Sequence, residues 1–188
     1  MLHLLSMTDP ISETSRRPPP KITPAYIENA ALHYLERYSS SRANLRRVLM
    51  RKVDRSLAHW GGERDEAMSL VEAVIGKLAG LGYLDDAAYA EIKVRGLRRK
   101  GASTRLICAT LAAKGVEAET TAAALSEQDG DAEMNAALTL ARRRRIGPFR
   151  AQDKRAEFRA KDLATLGRAG FSWEIARAVV ESDPEIGG

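Results

Sequence analysis

Two stretches of this chain end in the same way. Leu111-Ala112-Ala113-Lys114-Gly115-Val116 and Leu166-Gly167-Arg168-Ala169-Gly170-Phe171 each set a leucine four residues before a glycine and an apolar residue after it. Glycine at such a place is the natural left-handed stop of a helix. The segments that follow also align, with Glu119, Ala123 and Leu125 against Glu174, Ala178 and Val180. Farther upstream, Arg37, Ser41, Leu45, Leu49 and Lys52 correspond to Arg99, Ser103, Ile107, Leu111 and Lys114. This self-similarity constrains the fold strongly. Helices this short are marginal alone, so copies must lean on one another and the chain becomes a stack of similar helical units.

Helix grammar sets the unit boundaries. Thr23-Pro24 is a threonine cap followed by a first-turn proline. The first unit, 23–84, reads as three helices. The first carries Ile27, Ala31, Tyr34, Leu35 and Tyr38 on one stripe, the second Leu45, Val48, Leu49 and Val53, and the third Met68, Val71, Val74, Ile75 and Leu78. The second unit, 85–130, opens at Asp85, a good N-cap, with Asp86 where the helix dipole favours an acid. Leu84 and Tyr89 have hydrophobic-staple spacing, and Ala90, Val94 and Leu97 face inward. Ser103 caps a second helix with Ile107 and Leu111 buried, and Glu117 to Leu125 forms a third. The third unit, 131–184, has Met134, Ala137, Leu138 and Ala141 on its first helix, a second helix from Asp153 to Leu166, and a last one capped by Ser172 with Ile175, Val179 and Val180. Residues 1–22 are expected to be a disordered tail and 185–188 a loose end. The fold class expected is all-α: three tandem three-helix repeats forming an elongated, curved body. No heptad seam calls for a dimer, so a monomer is expected.

Composition agrees with this architecture. Aromatic residues make up only 5% of the chain, which favours small helix–helix contacts over a β-sandwich. The single cysteine, Cys108, is read as a small buried apolar residue in a reducing, cytoplasmic setting. The N-terminal patch Met1-Leu2-His3-Leu4-Leu5 is too short for a signal peptide, and no run approaches membrane-spanning length.

Catalytic patterns are missing. Gly76-Lys77 is followed by Leu78 rather than serine or threonine, so there is no phosphate-cradling loop. Gly80-x-Gly82 follows a helix pattern and is no dinucleotide fingerprint. His3, His33 and His59 lack metal-ligand spacing, and capping accounts for Asp85 and Asp86 more simply than acid–base chemistry does. The expectation is a protein with no cofactor, no metal and no enzymatic activity.

Basic residues carry what functional signal there is. The net charge is +5, compatible with nucleic acid or an acidic protein surface. Arg47, Arg51 and Arg55 form one helical stripe, Arg95, Arg98 and Arg99 another, and Arg142, Arg143, Arg144 and Arg145 are consecutive. The bland reading is a set of solvated faces and helix ends favoured by the C-terminal dipole. The functional reading is contact with phosphate or carboxylate groups. Few aromatics interleave with these arginines, which disfavours base stacking.

The chain resembles the RecX family, bacterial regulators of the RecA recombinase. The residues that carry the resemblance are Ala31-Leu32-x-Tyr34-Leu35-x-Arg37-Tyr38-Ser39 with Leu45 and Leu49, then Leu78-x-x-Leu81-Gly82-Tyr83-Leu84-Asp85-Asp86-x-x-Tyr89-Ala90, Arg98-x-Lys100-Gly101 and Leu111-x-x-Lys114-Gly115-Val116. It covers about residues 24–183 and is weakest in the third unit, around Gly147-Pro148-Phe149. The resemblance implies a non-catalytic regulator lying in the groove of RecA–DNA filaments, limiting their extension or promoting disassembly. RecA's strand-exchange, ATPase and repressor-cleavage activities in DNA repair and the SOS response would be inhibited. Arg95, Arg98, Arg99, Lys100, Lys114 and Arg142 to Arg145 are the contact candidates, with Arg47 and Arg51 behind them. Reversing the charges of Arg98 and Arg99 is expected to weaken the interaction and spare the fold. Weak direct DNA contact is compatible with this reading. The alternatives are a general helical DNA-binding protein acting without RecA and a pure protein scaffold.

Overall fold

The computed structural model describes residues 18–182. Among them are nine α-helices: α1 (Pro24–Leu35), α2 (Arg42–Trp60), α3 (Arg64–Gly80), α4 (Asp86–Arg98), α5 (Thr104–Ala113), α6 (Ala118–Ser126), α7 (Ala132–Arg144), α8 (Arg155–Arg168) and α9 (Trp173–Val180). Two single-turn 3-10 helices, Gly147–Phe149 and Gln152–Lys154, lie between α7 and α8. The fold is all-helical, and the predicted caps form. Thr23, Ser41, Asp85, Ser103 and Ser172 each accept a bond from a first-turn backbone N–H, satisfying donors that a helix start leaves free.

The leucine-to-glycine motif has a direct physical meaning. After α5, Val116 N–H donates to the Leu111 carbonyl at 3.1 Å and Gly115 N–H to Ala112 at 2.8 Å, the paired return bonds of a Schellman motif. The same pair closes α3 at Gly82, α4 at Gly101 and α8 at Gly170. In each case the glycine has positive φ, where a side chain would be strained. The leucine and the residue after glycine are the two apolar positions that pack together in this motif. At the end of α7 the same geometry recurs with Arg145 in the glycine place, at φ 54°.

Three hydrophobic clusters follow in chain order. Ile27, Leu45, Leu49, Val53, Val71 and Leu78 centre the first, Val94, Ile107 and Leu111 the second, and Ala137, Leu166 and Val179 the third. Each draws on one triplet of helices, and the inter-triplet hydrogen bonds run from first to second and from second to third. Leu84, before the Asp85 cap, joins the first cluster while Tyr89 joins the second, so the staple pair straddles the joint.

Several residues differ from expectation. Cys108 is exposed: Ile107 and Leu111 hold the buried stripe of α5, and the next residue along turns about 100° away. Met68 is out of phase for the same reason, and Ala67 takes its place in the core beside Val71. Tyr38 falls beyond α1 and is exposed, with its ring 5.2 Å from that of Tyr34. Pro18 to Ile22 do not belong to a loose tail. Trp60 Nε1 donates to the Pro19 carbonyl at 2.6 Å and Ser56 Oγ to that of Pro20 at 2.8 Å, laying this segment along α2. The remainder of the expected tail and the end from 183 onward lie outside the described residues. The α7–α8 link is more structured than its sequence suggested. Buried Asp162 accepts from Gly147 N–H at 2.9 Å and from both Nε and Nη2 of Arg150, which fixes the loop carrying Gly147-Pro148-Phe149.

Candidate partner-binding surface

The two joints between triplets are built from the same parts. At the first, Ser41 caps α2 and its hydroxyl donates to the Lys114 carbonyl at the end of α5, 2.5 Å away. At the second, Ser103 caps α5 and donates to the Ala169 carbonyl at the end of α8, 2.7 Å away. A carboxylate completes each joint: Asp86 accepts from Arg42 N–H at 2.9 Å, and Glu133 from Thr104 N–H at 3.0 Å. Asp86 is therefore a cap, but for α2 in the neighbouring triplet, while Asp85 caps α4 itself. The Schellman glycines sit in the contact. A Cβ at Gly115 would come within 2.4 Å of the Ala43 methyl, and one at Gly170 within 2.6 Å of Ser103 Oγ. Burial, with Tyr34 and Asp86 nearby, raises the Tyr89 phenol above its ordinary value at the first joint.

These joints absorb part of the expected contact surface. Arg98 belongs to the second joint. Its side chain is only 11% exposed, its guanidinium pairs with Glu133, and it donates to the Ala102 carbonyl at 3.0 Å and to Thr104 Oγ1 at 2.6 Å. Reversing its charge would place an anion beside Glu133, so the expectation that an Arg98/Arg99 reversal spares the fold does not stand. Arg47 donates to the Ala113 carbonyl at 2.7 Å across the first joint, where Lys114 Nζ lies 3.4 Å from Asn44 Oδ1. Arg95 pairs with Glu91 at 3.5 Å on the exposed side of α4, in a groove that Glu119 and Glu127 also line. Arg51 and Arg99 are exposed. Arg142 lies over the Phe149 ring, 5.3 Å from its centroid. Arg144 and Arg145 are exposed at the end of α7. The helical stripe Arg95/Arg98/Arg99 thus splits three ways.

A different grouping forms instead. Lys100, Arg143 and Arg144 meet Arg168 around a groove of about 380 Å³ at the second joint. Its floor is apolar, from Leu97, Ala102, Leu106, Leu140 and Ala169, with Gly101 and Thr165 completing the lining. Among the described residues, no carboxylate lines it. Arg143 Nη1 donates to the Lys100 carbonyl at 3.0 Å, and Arg168 Nη2 to Thr165 Oγ1 at 3.3 Å, which orients two of the four cations. Gly101 allows this close approach, because a Cβ there would lie 2.8 Å from the Leu140 backbone nitrogen. Arg168 was missed in the sequence. No local signal marks it, because the repeat alignment sets it opposite the uncharged Ala113. Among the described residues, no group of three or more His, Cys, Asp or Glu is placed to hold a metal ion, and no helix is long and apolar enough to cross a membrane.

Comparison with known proteins gives a consistent result. Residues 85–125 match the family model described as RecX, second three-helix domain. The chain is 48% identical over 178 residues to the regulatory protein RecX of Myxococcus xanthus, covering 94% of this chain and 95% of that one. It is 34% identical to the regulatory protein RecX of Agrobacterium fabrum over 161 residues, 86% of this chain and 85% of the relative. In shape it is similar to the crystal structure of RecX from Lactobacillus salivarius. The TM-score is 0.63 at 22% identity, over 84% of this chain and 94% of that one, a likeness of fold.

Proposed function

The chain belongs to the RecX family of regulatory proteins, and on that premise we propose that it is a non-catalytic cytoplasmic regulator that binds RecA–DNA filaments and inhibits RecA. The observation that carries the reading is near-full-length identity of 48% to a protein named as a RecX regulator. The fold is compatible with it. Three triplets joined by one repeated contact, in line with repeats proposed at 23–84, 85–130 and 131–184, suit a partner that itself repeats. In this reading the protein acts as a monomer and makes its contacts through Lys100, Arg143 and Arg144, joined by Arg168, with Arg99 and Arg145 exposed near them. Arg98, Arg47 and Lys114 act indirectly, by holding the triplets at the spacing the partner requires.

Adding the protein substoichiometrically to RecA on single-stranded DNA and following ATP hydrolysis tests this. Inhibition at low ratios is expected, weakened by Arg99→Glu with Arg144→Glu. A folded protein that leaves hydrolysis unchanged at every ratio would sink the reading. The surplus of cations also favours a second reading, direct DNA binding without RecA. That reading requires tight binding to duplex DNA with a salt slope of about −0.9 per neutralised phosphate, and a flat salt response removes it.

A further inference from the structure

We infer that the groove at the second joint is a docking site for an acidic peptide segment carrying one aliphatic or aromatic anchor, presented by a protein partner. Three helix C-termini converge there, those of α4, α7 and α8. Each terminus supplies roughly half a negative charge, about −1.5 in all. Lys100, Arg143, Arg144 and Arg168 supply four positive charges, with no lining carboxylate among the described residues. The helix ends account for fewer than half of these cations, and the positive remainder asks for an anionic partner.

The floor decides what kind of anion. Leu106 is 48% exposed within the groove and Leu97 is half-buried beside it. A phosphate backbone has nothing to place on such a floor, and among the described residues no aromatic side chain lines the groove to stack a base. A peptide satisfies both features, with carboxylates on the basic rim and one apolar side chain over Leu106. The site is also preformed. Arg143 bonds to the Lys100 carbonyl, and the Arg98–Glu133 and Ser103–Ala169 bonds fix its two walls, so little ordering cost remains for binding.

The inference rests on the protein being a partner-binding regulator, and its test contains no RecA, so its failure leaves the ATPase experiment standing. The probe is a short fluorescein-labelled peptide of aspartate and glutamate around a single leucine, followed by anisotropy with the full chain. Labelled oligothymidylate of equal length is the comparison. Saturable peptide binding is expected, weakened about tenfold or more by Lys100→Glu with Arg144→Glu and by Leu106→Asp, and unchanged by Ile92→Asp, which is exposed on α4 outside the groove. On the wild-type chain, replacing the peptide's leucine by serine weakens binding too, a result independent of any variant's folding. No saturable binding, binding indifferent to that leucine, or binding by oligothymidylate that Leu106→Asp leaves intact and that exceeds the peptide's would each overturn the inference.

Discussion

Removing the Arg98 side chain tests the claim that this arginine is part of the fold rather than of the exposed surface. Arg98→Ala deletes the pair with Glu133 and the bonds to the Ala102 carbonyl and Thr104 Oγ1. Breaking a buried pair costs about 3–5 kcal/mol, because the abandoned charge stays buried. Two features lower that here. Glu133 keeps 24% side-chain exposure and its Thr104 donors, so water and Thr104 stabilise the remaining carboxylate. Arg98 Nε is already buried without a hydrogen-bond partner among the described residues, a group whose desolvation the wild type bears uncompensated. The expected loss is about 2–3 kcal/mol. With a urea m-value of about 2 kcal/mol per molar, the midpoint falls by about 1–1.5 M, read by far-ultraviolet circular dichroism. Arg99→Ala, one residue along and exposed, should stay within about 0.5 kcal/mol of wild type. A double-mutant cycle with Glu133→Gln should give a coupling of about 1–2 kcal/mol. If Arg98→Ala is indistinguishable from Arg99→Ala, or the cycle is additive, the second joint is not held in the way described.

Three further outcomes follow from the same geometry. Gly115→Ala and Gly170→Ala each combine a positive-φ strain of about 1–2 kcal/mol with a clash across a joint, so both should lower the thermal midpoint, whereas Gly80→Ala, with open space at its Cβ, should not; equal effects at all three would refute the paired-joint description. Arg145→Gly relieves an arginine held at φ 54° and should stabilise the protein by about 1 kcal/mol, roughly 2–4 °C, while weakening RecA inhibition; a drop in midpoint would show that its side chain holds the fold. Hydrogen bonds from Arg159 and Arg177 hold the Glu181 carboxyl below its ordinary 4.5. That stabilising contribution is present above the ordinary value and is lost as pH falls through the lower folded one. The gap in thermal midpoint between wild type and Glu181→Gln should therefore exist at neutral pH and close in acid; a gap independent of pH would contradict it.

Much of the fold was readable because its signals are local. Ser41, Asp85, Ser103 and Ser172 cap helices through atoms within a few residues of themselves, and Leu111 with Gly115 forms a motif complete within one turn. Apolar periodicity placed Ile27, Leu49, Val71 and Val94 in the cores, and erred where one residue of phase decided the matter, as at Met68 and Cys108. The basic surface was less legible. Helical spacing put Arg95, Arg98 and Arg99 together as a stripe, yet about 100° per residue separates neighbours, and their partners come from other helices. Glu133 claims Arg98, Glu91 pairs with Arg95, and Arg99 alone of the three is left exposed without an ion pair among the described residues.

The repeat shows the division most clearly. By itself the sequence determined that Leu111–Val116 and Leu166–Phe171 are equivalent helix ends, since capping and return bonds depend only on neighbours along the chain. Tertiary structure alone decided that those ends are also docking points, with Ser41 reaching the Lys114 carbonyl and Ser103 that of Ala169. The same contact brings Lys100, Arg143, Arg144 and Arg168 around one groove. No spacing in the chain encodes that meeting, because it is set by how one triplet packs on the next.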